Sequence, residues 1–543
     1  MKKPLGIKQW VLYCVAAPVA LWLGITFVVN RYFTYDIDKT FPSPGFRSVV
    51  LSYLDMNHDG KLSWSEAGKV TELHLDNMDD LCDLRGIEVF RNLEELDCRY
   101  GYLTELNLSG NPKLTRLDCS NNILSRLDLR ANRKLMKVVA RTSVISEILL
   151  SKKNQVEWLD VSDNILSDLC LRSETLTELI CNHNCLTELD VSGVPKLGGL
   201  VCDKNQLKTL DLRGLKYMSS VNCDDNNLEE LWLWSDEEGD EEKLDYISCM
   251  NNRLYRLDLS GIRYLDTLYC GNNQLTSLDV SRFPDLEMLN LNGNRVAFLD
   301  VTHNPKLMEL GCNDNGFSQP FTLDVSQNPE LTYLGVRNSN LTSLDVTHCP
   351  KLHSLYCSGL QLEELDLSNN PNLCDLDCSG LQLEELDLSN NPNLRDLDCN
   401  SNGLRELVLG EKPFLTNLEC KANRILKLDL TGCPRIRNVD CSQNEMVELL
   451  FSDSPSLISL TCTENRFTEL RLYFEEDVWY MNGARLQCAW NPNLTDIYLN
   501  VPPRDFIKDP GVTVHESGPS WERYEEESED SSEDLSEDSE VEP

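Results

Sequence analysis

Positive charge and histidine are both scarce in this 543-residue chain. Lys and Arg total 50 against 89 Asp and Glu, which gives a net charge of −39, and there are only seven histidines. Such an excess of negative charge argues against nucleic acid or an anionic membrane face as a partner. The chain also lacks a G-x-S-x-G nucleophile motif, a phosphate-binding glycine loop and any histidines at metal-ligand spacing. Because no catalytic constellation emerges, we predict a protein that is not an enzyme.

A long apolar run occurs at the N-terminus, where Trp10 to Val29 contains no charged residue and follows Lys2, Lys3 and Lys8. Twenty helical residues span about 30 Å, the thickness of the hydrocarbon core of a bilayer. The run is long for a cleaved signal peptide, which is the alternative, and its end has no small-residue cleavage pattern. We therefore predict a transmembrane signal anchor at 10–29. The basic flank predicts that residues 1–9 are cytoplasmic and that the rest is outside the cytoplasm.

Most of the chain repeats one phrase, L-x-x-L-x-L-x-x-x-x-x-L-x-x-L-x-C-x-x-N-x, with a period of 21 residues. Residues 358–378 and 379–399 are even identical except that Cys374 in the first copy is Arg395 in the second. Copies begin at Leu103, Leu124, Ile145, Leu166, Leu186, Leu207, Leu228, Leu254, Leu275, Val296, Pro320, Leu341, Leu362, Leu383, Leu404, Ile425, Met446 and Phe467. A fixed period of this length indicates a solenoid, in which each coil contacts only its neighbours.

Each phrase contains L-x-x-L-x-[LVC] twice, and the alternation of apolar residues is typical of short strands. A coil of 21 residues has no room for a helix of three turns. The predicted fold is therefore a mainly β repeat solenoid with about two short parallel strands per coil, preceded by one transmembrane helix and a short helix–loop–helix motif. The predicted regions are a cytoplasmic N-terminus (1–9), the anchor (10–29), a linker (30–45), a calcium-loop region (46–69), the solenoid (70–466), a last repeat with its cap (467–516) and an acidic tail (517–543).

The phrase resembles that of bacterial leucine-rich repeat proteins, and more closely their short 21-residue, internalin-like subclass with nested half-repeats. "DLRGIEVFRNLEELDC" (83–98) resembles the lead-in repeat of such proteins, and "NPNLTDIYLNVPPRDF" (491–506) resembles their terminal cap. The resemblance implies a stack of leucine-rich repeats that binds a protein partner over an extended surface.

Two residue columns run through the repeats. Cysteine occupies one position in fifteen copies: Cys98, Cys119, Cys181, Cys202, Cys223, Cys249, Cys270, Cys312, Cys357, Cys378, Cys399, Cys420, Cys441, Cys462 and Cys488. Where cysteine is missing, an aliphatic residue such as Ala140 or Val161 replaces it, which indicates a buried apolar slot. In-register parallel strands also give poor disulfide geometry. Three residues later an asparagine recurs, and its carboxamide can both donate to and accept from the backbone of every coil.

An outward file of aspartates is predicted along the first strand of each coil, where the residue between two inward apolar ones is usually acidic. Its members include Asp128, Asp190, Asp211, Asp279, Asp300, Asp345, Asp387 and Asp429. Like charges about 5 Å apart repel. The file is interpreted either as a surface for divalent cations or a basic partner, or as a feature that keeps exposed strands soluble.

"DMNHDGKLSWSE" (55–66) matches the template D-x-[DN]-x-[DN]-G-x5-E at every fixed position. It resembles an EF-hand or dockerin-type loop. The resemblance implies Ca2+ as cofactor, with side-chain oxygens from Asp55, Asn57 and Asp59, the carbonyl of Lys61, Ser63 directly or through water, and a bidentate Glu66. A single loop beside a repeat array favours a structural calcium site near the start of the solenoid.

Residues 520–543 carry twelve Asp and Glu in 24 residues and few apolar ones, which predicts a solvating tail. We expect a single-pass cell-membrane protein whose repeats, outside the cytoplasm, recognise a protein or cell-surface ligand or mediate adhesion. Outward tyrosines, namely Tyr246, Tyr269, Tyr333 and Tyr356, are the expected contact anchors. The alternatives are a structural cation-binding protein of the cell envelope and, if the topology is inverted, an intracellular regulatory scaffold.

Overall fold

The computed structural model describes residues 34–76, 81–233, 245–316, 321–451, 457–472, 485–499, 503 and 505–516. The predicted anchor (10–29) and the acidic tail (517–543) lie outside these residues. None of the helices in the described ranges has the length and apolar character needed to cross a membrane. The chain divides into two compact units, Met1–Leu362 and Glu363–Pro543.

The first unit opens with short helices, of which the three described α-helices begin at a side-chain cap. The α-helix Ile37–Thr40 is capped by Asp36, and Pro44–Val49 is capped by Ser43 and starts with proline, whose fixed φ suits that position. Val50–Leu54 continues as a π-helical turn, Trp64–Ala67 is the next α-helix and Ile87–Val89 is a 3₁₀ turn. The predicted short helices therefore flank the loop at 55–63.

Three buried phenylalanines join these helices to the first coils of the same unit. The rings of Phe41 and Phe46 meet edge to face with centroids 5.5 Å apart, and Phe41 stacks on Phe90 at 6.1 Å. All three side chains are fully buried. Aromatic side chains bury large apolar areas, so this cluster fixes the helical segment against the solenoid.

The second strand of each coil builds one continuous parallel sheet in each unit, which we call the major sheet. In the first unit its strands are Glu72–His74, Glu95–Asp97, Arg116–Asp118, Lys137–Val139, Trp158–Asp160, Glu178–Ile180, Gly199–Val201, Ser220–Asn222, Tyr246–Ser248, Thr267–Tyr269, Met288–Asn290, Glu309–Gly311, Tyr333–Gly335 and Ser354–Tyr356. Each pairs with the next in register, so that equivalent residues of successive coils are neighbours.

The first strand of each coil is less regular. In the first unit it forms three separate pairs, which are Arg126–Asp128 with Glu147–Leu149, Thr209–Asp211 with Glu230–Trp232, and Phe321–Leu323 with Leu341–Leu344. The coils that begin at Leu103, Leu254 and Leu275 have no strand here, although these leucines are fully buried. The prediction of two strands per coil is therefore confirmed for only part of the array, because the inward leucines hold the register without ladder hydrogen bonds.

The second unit repeats the arrangement. Its major sheet consists of Asp375–Asp377, Asp396–Asp398, Asn417–Glu419, Asn438–Asp440, Ser459–Thr461, Arg485–Gln487 and Asp505–Ile507. Its first-strand sheets are Glu385–Asp387 with Glu406–Val408, Lys427–Leu430 with Glu448–Phe451, and the trio Glu469–Leu472, Asp496–Leu499 and Thr513–Glu516. The last strands continue both faces through the predicted cap.

The predicted asparagine column is confirmed as a hydrogen-bonded ladder. The amide of Asn122 donates to the carbonyls of Cys98 and Cys119, both at 2.9 Å, and its oxygen accepts from the backbone N–H of Leu103 at 3.0 Å. Asn273 and Asn423 make the same bonds in their own coils. The ladder therefore satisfies backbone groups that the turn removes from water.

Candidate recognition surface and calcium loop

The predicted calcium loop forms a tight turn whose acidic side chains accept hydrogen bonds from the loop's own backbone. Asp55 accepts from the N–H of Gly60 at 2.8 Å, Asn57 accepts from Asp59 at 2.9 Å, and Asp59 accepts from Lys61 at 3.0 Å. Gly60 has φ +77°, a left-handed conformation that glycine adopts without strain. These bonds bend the chain back on itself between positions 1 and 7 of the template.

The loop closes on Glu66, which forms a capping box with Ser63 at the start of the helix Trp64–Ala67. One carboxylate oxygen of Glu66 accepts from the N–H of Ser63 at 2.9 Å, and the other accepts from Asn57 at 3.2 Å. Asp55 and Glu66 are each only 3% exposed. Neither forms an ion pair with a described basic side chain. The hydrogen bonds that these two buried carboxylates accept come from neutral backbone N–H groups.

The structure brings these residues into one loop but does not gather their carboxylates around one point. Among the described residues, no three His, Cys, Asp or Glu side chains are grouped closely enough to hold a metal ion. The predicted donor set also includes three oxygens that are not carboxylates. They are the side-chain oxygens of Asn57 and Ser63 and the backbone carbonyl of Lys61. The predicted oxygen donors thus follow one another along the loop as the template requires. Its carboxylates, however, accept hydrogen bonds from backbone amides.

The four predicted contact tyrosines lie on the outward face of the major sheet and form two pairs. Tyr246 meets Tyr269 edge to face with centroids 5.8 Å apart, and Tyr333 meets Tyr356 at 5.5 Å. Arg337 covers the ring of Tyr356 at 4.5 Å from the guanidinium carbon to the ring centroid. In-register pairing places each tyrosine one coil from its partner or diagonal to it, which produces the pairs.

These pairs belong to a face that is almost free of charge, which we call the tyrosine face. It comprises the outward residues of six successive major-sheet strands, namely Tyr246, Ser248, Thr267, Tyr269, Met288, Asn290, Glu309, Gly311, Tyr333, Gly335, Ser354 and Tyr356. Glu309 is the only charged residue among the twelve. Partial burial raises the pKa of Tyr246 and of Tyr269, so both phenols remain neutral donors.

Two glycines on this face are buried beneath neighbouring side chains. A Cβ on Gly335 would lie 3.1 Å from the Tyr333 hydroxyl oxygen and 2.7 Å from the amide nitrogen of Asn313. A Cβ on Gly311 would lie 3.0 Å from the Asn292 amide. The side chains of neighbouring coils therefore cover the glycine positions, and the absence of a Cβ at each lets those side chains lie flat on the sheet.

The predicted outward aspartates accept hydrogen bonds from the residue two positions later, at the start of the next turn. Asp279 accepts from the N–H of Ser281 at 3.0 Å and from its hydroxyl at 2.7 Å, and Asp429 accepts from Thr431 in the same way. These bonds hold the pKa of both carboxyls below the usual value. Local turn-capping accounts for these acids in both units, which favours the interpretation that they belong to the scaffold.

The cysteine column is buried throughout, as predicted. All fifteen of these cysteines are buried. Burial raises the pKa of Cys270 and of Cys312 to about 12, so these thiols are neutral and unreactive at physiological pH. In "CNHNC" (181–185), His183 bonds Asp163 at 2.7 Å, while Asn184 is a ladder residue. That segment is thus explained without a metal.

A second polar ladder was not predicted. In the phrase N-P-x-L, the asparagine amide donates to two carbonyls of the preceding coil, as Asn391 does to Leu367 and Asn370, both at 3.0 Å. Lys412 occupies the same position one coil later, is fully buried and donates to the carbonyl of Leu388 at 2.8 Å. The asparagine that recurs before proline could have indicated this second ladder. Its spacing alone, however, did not show that the side chain is buried.

Comparison with known proteins identifies the fold. The functional domain of InlJ from Listeria monocytogenes, described as including a cysteine ladder, matches with 29% identity and a TM-score of 0.57 over 69% of this chain and 77% of that one. YopM from Yersinia enterocolitica matches with 23% identity and a TM-score of 0.65 over 81% and 91%. The plant peptide hormone receptor RGFR1, in complex with RGF2, matches with 16% identity and a TM-score of 0.50 over 80% and 76%.

No protein-family model matches the sequence, and no curated protein sequence matches it. The structural neighbours are internalin and YopM-type leucine-rich repeat proteins, so the chain is a leucine-rich repeat solenoid. This confirms the predicted repeat fold, and the fold in turn suggests recognition of other proteins.

Proposed function

We propose that this leucine-rich repeat protein is a non-enzymatic, membrane-anchored recognition or adhesion protein that binds a protein partner through its tyrosine face, outside the cytoplasm. The observation that carries the proposal is the single charge among twelve outward positions of that face, in a chain with a net charge of −39. A neutral surface in so acidic a protein is the place where a partner loses least hydration energy on contact.

The chemistry of the tyrosine face suits a protein partner. Tyrosine rings offer large contact areas at low conformational cost, and the hydroxyls supply hydrogen bonds. The two pairs lie on either side of Met288, so the face combines rigid rings with a flexible side chain. The partner's own contact surface should therefore be uncharged and contain hydrogen-bonding groups. The complex of RGFR1 with a peptide hormone, a neighbour in fold, supports a polypeptide ligand.

The test is parallel affinity capture with three forms of the full chain. The first is wild type, the second carries Tyr246→Ala, Tyr269→Ala, Tyr333→Ala and Tyr356→Ala, and the third is a control with Tyr102→Ala and Tyr217→Ala, two exposed tyrosines elsewhere in the first unit. A partner retained by wild type and by the control, and lost by the face variant, supports the proposal. The interaction is then measured with purified components by calorimetry. Equal capture by all three forms contradicts it.

The loop 55–66 is proposed to hold one structural Ca2+. The residues fit the ion by donor chemistry, since Asp55, Asn57, Asp59, Glu66, the Lys61 carbonyl and Ser63 all supply oxygen. The buried, unpaired carboxylates of Asp55 and Glu66 support this assignment, because buried acids ordinarily have a cationic partner. The ion would neutralise the charges of these two carboxylates and stabilise the packing of the first helices against the solenoid.

Calcium titration of the full chain separates this proposal from a cation-binding envelope role. One ion per chain, with a rise of unfolding temperature that Glu66→Gln abolishes, supports the structural site. At a calcium concentration of 100 times the Kd, the expected stabilisation is about 2.7 kcal/mol. Many weak ions that persist in the Glu66→Gln chain favour the envelope alternative. His58→Asn changes an exposed loop residue without a donor role and serves as the control.

The proposed topology is tested by protease treatment of intact cells that express the chain. Digestion of the repeats from outside supports the anchor at 10–29 and the location beyond the cytoplasm. Protection of the repeats in intact cells, with digestion after lysis, would instead favour the intracellular scaffold.

A further inference from the structure

A group of unpaired arginines lies on the second unit, apart from the tyrosine face of the first. Arg395, Arg435 and Arg437, together with Phe414 and Thr416, line a groove of about 500 Å3. We call this group the arginine groove. No acidic residue lines it, which is unusual in a chain with 89 Asp and Glu.

The groove is built by the repeat register. Arg395, Thr416 and Arg437 each stand directly before a major-sheet strand and are 21 residues apart, so they form one column. The backbone N–H of Thr416 donates to the carbonyl of Arg395 at 2.8 Å, and Arg437 donates to Thr416 at 2.9 Å. Phe414 and Arg435 form a second column two residues earlier, with the Arg435 guanidinium 5.5 Å from the Phe414 ring centroid. Five side chains thus face one groove at fixed spacing.

Within the described residues, none of the three guanidiniums forms an ion pair, whereas other basic side chains at equivalent connections do. Lys306 pairs with Asp285 at 2.6 Å, and Lys351 pairs with Glu330. The arginine groove therefore presents forks of N–H donors that no carboxylate of a described residue pairs with. Guanidinium groups bind carboxylates in bidentate fashion, so the groove suits a polyanion with carboxylate groups.

We infer that the arginine groove binds an acidic polypeptide segment, and that this segment is the chain's own tail, residues 517–543. Charge complementarity favours the assignment, since residues 520–543 contain twelve Asp and Glu. Trp521 and Tyr524 lie at the start of the acidic stretch and can contact Phe414. The other acidic residues of the chain repel the acidic tail, whereas the three guanidinium groups of the groove attract it.

The tail is long enough to reach the groove within the second unit. Five strand spacings separate Asp396–Asp398 from Asp505–Ile507, which is about 25 Å at about 4.8 Å per spacing. The 27 residues after Glu516 span up to about 90 Å when extended. Residues 358–378 and 379–399 differ only in that Arg395 replaces Cys374. A tail bound in the groove would contact this one differing residue.

The first experiment maps the contact in the intact protein. Phe414 is replaced by the photoreactive p-benzoylphenylalanine, the full chain is irradiated, and the crosslinked peptides are identified by mass spectrometry. Crosslinks within one chain to residues 517–543 are expected. Crosslinks that never include the tail would overturn the proposal.

The second experiment measures binding of a labelled synthetic peptide of residues 517–543. The recipient is a full chain whose twelve tail acids are changed to Asn and Gln, so that its own tail no longer competes. We expect binding that weakens with salt and is at least tenfold tighter than binding to wild type. Absence of binding to the neutralised chain, or binding of a sulfated polysaccharide but not of the peptide, contradicts the assignment.

Two matched triple variants in the neutralised chain test the arginines themselves. Arg395→Thr, Arg435→Asn and Arg437→Thr use the residues that adjacent coils have at these positions, namely Thr416 and Asn393, so the coils should fold normally. The control, Arg405→Ser, Arg424→Ser and Arg466→Ser, removes three exposed arginines of the same unit and the same charge. Loss of peptide binding in the first variant only is expected. Equal loss in both would show that overall charge, and not the groove, attracts the peptide.

Discussion

The outward faces of the two major sheets differ sharply although their interiors are alike. In six strands from Tyr246–Ser248 to Ser354–Tyr356, one of twelve outward residues is charged. In six strands of the second unit, from Asp375–Asp377 to Arg485–Gln487, seven of twelve are charged, and six of those are acidic. Both sheets share the buried leucines, the thiols and the asparagine ladder. The fold thus constrains the inward residues and leaves the outward ones free to specify what each unit binds.

The first prediction tests the shared part of this comparison and has the largest expected effect. Asn273→Ala in the first unit and Asn423→Ala in the second each remove an amide that bonds three carbonyls and one N–H. Because buried backbone groups are left unpaired, we expect each to lower the free energy of unfolding by about 4 kcal/mol. Urea denaturation measures this.

The control for the ladder is Asn393→Ala, which removes an exposed amide with one bond, to the Pro371 carbonyl at 2.9 Å. It should cost at most about 1 kcal/mol. If either ladder variant costs no more than this control, the two units do not share the stabilising role assigned to their asparagines.

The second prediction addresses the difference between the units. Tyr333→Asp and Tyr356→Asp give the tyrosine face the residue that the second unit has at the equivalent strand positions, Asp375 and Asp398. Two desolvated charges within the contact should weaken partner binding about 100-fold, or about 2.7 kcal/mol. Calorimetry with the captured partner measures this loss.

The matched control for the tyrosine face is Asp375→Tyr with Asp398→Tyr, which should leave partner binding unchanged. The unfolding free energy of the Tyr→Asp variant should remain near the wild-type value, because the second unit folds with aspartate at equivalent positions. Undiminished binding by that variant would place the contact elsewhere on the chain.

The sequence was sufficient to predict the interior of both units. The period of 21 aligned the cysteines and asparagines in columns, and the alternation of apolar residues along each strand placed these columns in the interior. Ala140 and Val161, which replace cysteine in two copies, also indicated a buried apolar position. The outward position of the four tyrosines was also predicted, whereas their contacts in pairs came from the structure. The predicted calcium residues came together in one loop, yet their carboxylates bond backbone amides, an arrangement that no spacing rule indicates.

The features that were missed depend on the connections between strands. Lys412 occupies a buried asparagine position, and its long side chain reads as exposed in the sequence. The arginine groove joins residues of three coils from two columns, and only the coil geometry brings Arg395 beside Arg435 and Arg437. The prediction of a strand in both halves of each coil was too general, because burial of leucine alone does not require ladder hydrogen bonds.

The third prediction uses the thiols that both units share. Burial raises the pKa of Cys270 and of Cys420 above the ordinary value of 9.0. In the unfolded chain these thiols lose their protons near pH 9, while the folded chain keeps them, so stability falls as pH rises above 9. Each thiol contributes about 1.4 kcal/mol per pH unit in that range.

Cys270→Ala and Cys420→Ala test this in the two units, with alanine chosen because Ala140 fills the same slot. Each variant should make the fall of unfolding free energy between pH 9 and the folded pKa shallower by one proton. Chemical denaturation at a series of pH values measures the slope. An unchanged slope in either variant would mean that its thiol is ionised in the folded chain.

The fourth prediction concerns the second asparagine ladder and has the smallest expected effect. Lys412→Asn replaces a buried cation with the residue at Asn391, whose amide already satisfies two carbonyls of the preceding coil. Removing the desolvated charge should raise the free energy of unfolding by about 1 kcal/mol at pH 7. The converse, Asn391→Lys, should lower it.

Burial lowers the pKa of Lys412, so the folded chain releases this proton at a lower pH than the unfolded chain. The wild type therefore gains stability relative to Lys412→Asn as the pH rises toward 10.5, and the advantage of asparagine should shrink. Comparing the two proteins at each pH cancels the contribution of the thiols, which both contain. An advantage that stays constant with pH would contradict this, because it would show that Lys412 stays charged in the folded chain up to the pH at which it loses its proton in the unfolded chain.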